Sequence, residues 1–157
     1  MTMKYKIGNL VDALIQGEVD VIAHGCNCFC EMKNGIAKQI IKKFPEVSQV
    51  DLETIKGQRK KLGTYSDFNT FHQGDSIRIV NLYSQYYHAR NVPKGERIID
   101  YDALDKALES FAMSLNHSDV IGLPKIGTGL AKGDWNKVKV LINKHLHKYN
   151  VTIYTLK

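Results

Sequence analysis

Proline and cysteine are scarce: the 157 residues hold three of each, and the cysteines, Cys26, Cys28 and Cys30, all fall in one short stretch. An odd, clustered set of thiols excludes a disulfide framework. With His24 they spell H-x-C-x-C-x-C, but zinc sites space their ligands more widely and add a distant second pair. No metal is expected, and small buried or half-buried thiols are the reading. No apolar run approaches the roughly 20 residues that span a bilayer. The opening residues, Met1 to Lys6, carry no apolar h-region, so a cytoplasmic protein without a membrane partner is the expectation. Internal repeats, low-complexity tracts and linkers are also missing. Residues 1–157 are therefore expected to form one domain, and a monomer.

What is present is ordinary in bulk, 43% hydrophobic and 24% charged, with a net charge of +6. Such a charge admits a polyanionic partner. The lysines, however, are spread through helical segments, among them Lys38, Lys42, Lys43, Lys137, Lys139, Lys144 and Lys148. Only Arg59-Lys60-Lys61 is tightly clustered, in a loop-like region. The pattern reads as a solvated surface, and nucleic acid is not the expected partner.

Hydrophobic periodicity predicts strands over 3–7, 19–25, 63–69, 76–84, 120–123 and 151–156. It predicts a short helical turn over 12–16 and helices over 36–44, 46–56, 102–117 and 135–149. The strand at 19–25 is almost continuously apolar, as a strand covered on both faces must be. In 102–117, Leu104, Ala107, Leu108, Phe111 and Leu115 recur at helical spacing. Strands alternating with helices give an α/β layered fold with a mixed sheet. The polar stretch 85–98 is long enough to be a functional loop.

Two loops carry the chemical signal. One leaves the buried strand at Ala23, holds His24 and Asn27, and reaches Gly35 as a helix begins; the other is Leu123-Pro124-Lys125-Ile126-Gly127-Thr128-Gly129-Leu130. Free N–H groups of a helix's first turn and a close-approaching glycine backbone both suit phosphate. Neither loop continues with Gly-Lys-Ser/Thr, and no G-x-G-x-x-G opens the first helix, so P-loop and dinucleotide-fingerprint folds are disfavoured. Both loops follow buried strands, which places them together at the carboxyl ends of a sheet. A ligand with two phosphates is implied.

The combination GNL near the start, HGCNC followed by NGIA, LPKIGTGLAKGDW and the closing VTIYTL resembles a macrodomain. Within that family it is most similar to the ADP-ribose-1″-phosphate phosphatases and the related terminal ADP-ribose glycohydrolases. The resemblance implies a three-layer α/β/α fold with a central mixed sheet and ADP-ribose across the strand ends. It implies Asn9 and Leu10 near the adenine and Gly35, Ile36 and Ala37 along one side of the diphosphate. Gly127, Thr128, Gly129, Leu130 and Ala131 would lie along the other side, with Ser84 also in the binding set. Asn27 would face the distal ribose, and Tyr154 is an adenine wall or a core tyrosine. His24 is a candidate acid or base because its ordinary pKa lies near neutrality; a packed structural histidine is the alternative. His88 and Arg90 are candidates to meet a terminal phosphate.

Two departures narrow the activity. The glycohydrolases use a lysine just after the central strand and an aspartate just after the second loop, where this chain has Gln85 and Ala131. A covalent sugar intermediate through lysine is thereby disfavoured, and Asp134 reads as a helix cap. No Cys-x5-Arg loop supports a thiolate phosphatase. The expectation is an ADP-ribose-binding hydrolase of ADP-ribose 1″-phosphate that uses no cofactor. Alternatives are a binder of ADP-ribose or a related NAD-derived nucleotide without turnover, a de-ADP-ribosylating hydrolase with a non-lysine mechanism, and an RNA-binding member.

Overall fold

A computed structural model describes residues 3–157. Six strands form one sheet in the order β1-β6-β5-β2-β4-β3. They are β1 (Lys4–Ile7), β2 (Val21–Cys26), β3 (Tyr65–His72), β4 (Asp75–Tyr83), β5 (Val120–Leu123) and β6 (Asn150–Thr155). All neighbouring pairs are parallel except β3 with β4. That pair is joined by a tight turn at Gln73-Gly74, both with positive φ, and only an antiparallel pair permits so short a link. The sheet is mixed, as the sequence predicts.

Helices cover both faces. On one side lie α1 (Leu10–Ile15), α2 (Gly35–Lys43) and α3 (Glu46–Leu52); on the other lie α4 (Tyr101–Met113) and α5 (Trp135–Leu146). Alternation along β2 divides the core: Val21 and Ala23 pack with Leu104, Leu108, Phe111, Val138 and Ile142 beneath α4 and α5. Ile22 faces the other way, with Leu10, Leu14, Ile40 and Val47. Leu104, Leu108 and Phe111 are fully buried, each worth roughly 1.5–3 kcal/mol of transfer free energy.

Several helix ends come earlier than periodicity suggests, for local reasons. Helix α3 stops at Leu52 because the Thr54 hydroxyl donates back to the Asp51 carbonyl at 2.5 Å. The chain then turns at Gly57, with φ of 77°. Helix α4 stops at Met113, where the Ser114 hydroxyl takes up the Phe111 carbonyl at 2.6 Å. Asp134 caps α5 by accepting from Asn136 N–H at 2.9 Å.

The basic cluster differs more. Arg59–Lys61 forms a 3-10 turn, and Lys61 is only 6% exposed. Its ammonium lies inside, 3.7 Å from Asp51 Oδ1, and donates to the Cys28 carbonyl at 3.3 Å. The cluster is therefore not three solvated cations. A buried ammonium needs a carboxylate, and Asp51 supplies it.

Candidate functional site

The loops that follow β2, β4 and β5 rise from the carboxyl ends of adjacent strands and enclose a cleft of about 480 Å³. The end of β2 contributes Gly25 and Cys26, and the loop after it Asn27, Glu31, Met32 and Asn34; the β4 loop contributes Gln85, His88, Ala89 and Ile98. The β5 loop closes the far wall from Pro124 to Gly127 and from Gly129 to Ala131, and the first turn of α2, Gly35 to Ala37, enters from the side.

Two of the segments that line this space carry backbone donors without a protein acceptor. The first intrahelical bond at the start of α2 is made by Lys38 N–H to the Asn34 carbonyl at 3.4 Å. Among the described residues, the N–H groups of Gly35, Ile36 and Ala37 have no protein acceptor. In the β5 loop, Lys132 N–H bonds the Gly129 carbonyl and Gly133 N–H the Gly127 carbonyl. The N–H groups of Gly129, Leu130 and Ala131 are likewise unspent among the described residues. Two sets of free donors, one at a helix N-terminus and one in a turn, make an anion seat. Gly127 is required by its neighbours: its φ is 71°, and a Cβ there would lie 2.3 Å from Ile99 Cδ1.

Side chains gather at one end. Asn27 is nearly buried, with Oδ1 accepting Phe29 N–H at 2.9 Å and Nδ2 donating to the Glu31 carbonyl at 2.9 Å. It staples its own loop and still has one N–H and one lone pair for a sugar hydroxyl. Glu31 holds two cations, Arg90 Nη2 at 2.8 Å and Lys33 Nζ at 3.3 Å. Partial burial pushes its carboxyl up, but Lys33, Arg90 and His88 more than offset this and hold it below the usual carboxylate range. His88 Nδ1 accepts Arg90 N–H at 3.0 Å, which leaves the proton of the neutral ring on Nε2. Burial lowers the His88 pKa, opposed by Glu31.

Of the residues named from sequence, Asn27, Gly35, Ile36, Ala37, Gly127, Gly129, Leu130 and Ala131 line the cleft, as does His88. Arg90 is not in the lining but is tied to it through Glu31, and the structure does not bring the others to the wall. Thr128 points its hydroxyl back to the Lys125 carbonyl at 2.8 Å. Asn9 caps α1, accepting Asp12 N–H at 3.0 Å, and donates to Gln39. Leu10 is core, and Tyr154 is buried beside it with its hydroxyl toward Glu18 Oε1 at 3.4 Å. Ser84 is fully buried under the cleft floor, where a Cβ on Gly25 would come within 2.7 Å of its Oγ.

His24 is the main correction. It points to the α2–α3 side, is fully buried, and places Nε2 2.7 Å from Asn81 Oδ1. Burial lowers its pKa to about 4, against the opposing hydrogen bond that the ring donates to Asn81. A ring sealed beneath the sheet surface and neutral at pH 7 has no contact with the cleft; its nearest link to it is Cys26 Sγ, 3.5 Å away. Sequence reasoning also passed over Glu31. The available signal was a carboxylate four residues after Asn27 in the same polar loop. Among the described residues no group of His, Cys, Asp and Glu is placed to hold a metal ion, and no helix is long and apolar enough to cross a membrane.

Comparison with known proteins agrees with this architecture. An uncharacterized 17.5 kDa protein of Enterobacteria phage T4, from the tk-vs intergenic region, is 32% identical over 98% of this chain and 96% of its own. An ADP-ribose 1″-phosphate phosphatase of Candida glabrata is 24% identical, over 87% of this chain and 89% of its own. The structure of Thermosipho africanus DarTG in complex with ADP-ribose superposes with a TM-score of 0.73 at 16% identity, covering 98% of this chain and 42% of that one. The family model described as Macro domain matches residues 23–142, and with the three-layer fold around the cleft this chain belongs to the macrodomain family.

Proposed function

We propose that the cleft binds ADP-ribose and that the protein removes phosphate from ADP-ribose 1″-phosphate. The observation that carries the binding half is the pair of donor sets, Gly35–Ala37 and Gly129–Ala131, whose N–H groups have no acceptor within the described residues. A diphosphate satisfies both at once, and the Asn27 amide at the end of the cleft suits the distal ribose. The likeness to a named phosphatase from Candida glabrata supports the choice of substrate.

The hydrolytic half draws on the other side chains at that end. Arg90 and Lys33, now on Glu31, re-pair with the terminal phosphate, and His88 Nε2–H donates to one of its oxygens. Glu31, released from its cations, takes a proton from the attacking water. The new P–O bond forms as the bond to the C1″ oxygen breaks, and the departing oxygen, supported by the Asn27 N–H, takes its proton from solvent. His24 has no part in this sequence, because its ring is fully buried.

One observation favours a second reading, a binder without turnover. Glu31 is already held below the usual carboxylate range, which makes it a weak base. The experiment is phosphate release from ADP-ribose 1″-phosphate, run beside calorimetric titration with ADP-ribose. Release together with binding is the expected result. Binding without release would establish the second reading, and neither signal would refute the cleft assignment itself.

A further inference from the structure

Between the β2 loop, α3 and the 3-10 turn lies a group of reactive side chains that the proposed chemistry does not use. Lys61, 6% exposed, donates from Nζ to Cys30 Sγ at 3.4 Å and lies 3.7 Å from the buried Asp51 carboxylate. Cys30 in turn donates to the Asp51 carbonyl at 3.3 Å. An amine, a thiol and a carboxylate thus meet at one point, drawn from the β2 loop, the 3-10 turn and α3. Cys30 also stands at φ of 56°, a left-handed conformation that non-glycine residues adopt rarely.

The three thiols are not equivalent. Cys26 and Cys28 are buried, while Cys30 is half-buried. Burial pushes the Cys28 thiol up to about 11 and raises the Cys26 thiol well above its ordinary value. A small oxidant arriving from solvent therefore meets Cys30 first. The nearest nucleophile to the resulting sulfur is not another cysteine but the Lys61 amine.

We propose that Cys30 and Lys61 form a reversible covalent cross-link, a sulfenamide, when the protein meets hydrogen peroxide. The Cys30 sulfur attacks the peroxide, an S–O bond forms, the O–O bond breaks and water leaves, giving a sulfenic acid. Lys61 passes one proton to Asp51, and its free amine attacks Sγ. The S–N bond forms as the S–O bond breaks, and hydroxide leaves as water with the second amine proton. Sulfur is oxidised and peroxide reduced by the same electron pair, so no other reactant is needed. The link ties the β2 loop, which carries Asn27 and Glu31, to the 3-10 turn. It does not depend on which ligand the cleft takes.

The test treats the intact, reduced protein with peroxide, digests it without reductant and maps the peptides by mass spectrometry. The expected product joins the Cys30 and Lys61 peptides, is lighter by two hydrogens than their sum and separates on adding a thiol. Tryptic cleavage after Lys61 is lost only in the oxidised sample. Lys61→Arg keeps the charge but lacks a nucleophilic amine, so the link should vanish while Cys30 still oxidises. Should that variant fail to fold, Cys28→Ser decides the matter: the link persists if the proposal holds. A Cys28–Cys30 disulfide, or Cys30 oxidised to a sulfinic acid beside an unmodified Lys61, would overturn it.

Discussion

The hydroxyl of Tyr83 donates to Asp51 Oδ1 at 2.7 Å and contacts Ser66 Oγ at 2.8 Å. Behind Ser66 the donors continue in one direction: Asn81 Nδ2 gives to Ser66 Oγ at 3.1 Å, and His24 Nε2 lies 2.7 Å from Asn81 Oδ1. The chain ends on a carboxylate that Lys61 faces at 3.7 Å. Each group has its partner, which is the condition under which a buried polar network is tolerated.

Tyr83→Phe removes the link between the two halves of this chain without changing the packing volume much. Asp51 loses a hydrogen bond while burial already pushes its carboxyl up. A loss of about 2 kcal/mol in unfolding free energy is expected. Urea denaturation checks it, and an unchanged midpoint would show that water replaces the hydroxyl.

His24 gives the stability a pH dependence of definite sign. Its folded pKa is lowered from 6.5 to about 4, so between those values the unfolded chain binds the extra proton. Stability is full above the unfolded pKa and declines as pH falls toward 4. From pH 7 to pH 5 this single group costs about 2 kcal/mol. His24→Asn should flatten that slope in paired urea titrations, whatever it does to the absolute stability. If the two slopes coincide, His24 is not the group responsible.

Much of this was legible in the sequence, and particular residues show where legibility stopped. Strand alternation alone assigns Ile22, His24 and Cys26 to one face of β2 and Val21 and Ala23 to the other. It could not say that the face holding His24 would be closed by Asn81 and Tyr83 from a strand more than fifty residues away. Lys61 reads as one of three surface cations because its carboxylate partner comes from α3, outside any local pattern. Asn9 and Tyr154 stand off the lining of the cleft for a similar reason. Each is held by a contact with a residue remote in sequence, Gln39 and Glu18 respectively. The glycine loops were readable because the demand on them is local: a turn and a close approach of backbone.

Gly127→Ala and Gly35→Ala separate collision from conformational strain. Both positions have positive φ, but a Cβ at 127 strikes Ile99 whereas at 35 it meets nothing within 4 Å. Gly35→Ala should cost about 1 kcal/mol, the left-handed penalty alone. Gly127→Ala should cost more than that and weaken ADP-ribose binding by at least about tenfold, a 1.4 kcal/mol effect. Thermal unfolding and calorimetry together distinguish the two.

Glu31→Gln tests the proposed water activation. It removes the base but preserves the shape of the loop, so affinity for ADP-ribose should stay within about threefold while phosphate release falls by roughly 10²-fold or more. Arg90→Ala should instead raise KM for the phosphorylated substrate and leave the affinity for unphosphorylated ADP-ribose nearly unchanged. Equal turnover in Glu31→Gln and wild type would remove the carboxylate from the mechanism.

The grip of Glu31 on Lys33 and Arg90 also bears on how a ligand arrives. These cations carry a counter-ion of their own, fixed in the protein rather than borrowed from the buffer. An incoming phosphate swaps places with a tethered carboxylate instead of releasing mobile anions. Glu31 cancels one of the two positive charges, so this corner of the cleft projects less long-range field than Lys33 and Arg90 alone would give it, and encounter depends on diffusion and fit as well as on steering. Added salt should therefore slow association less than a net charge of +6 would lead one to expect.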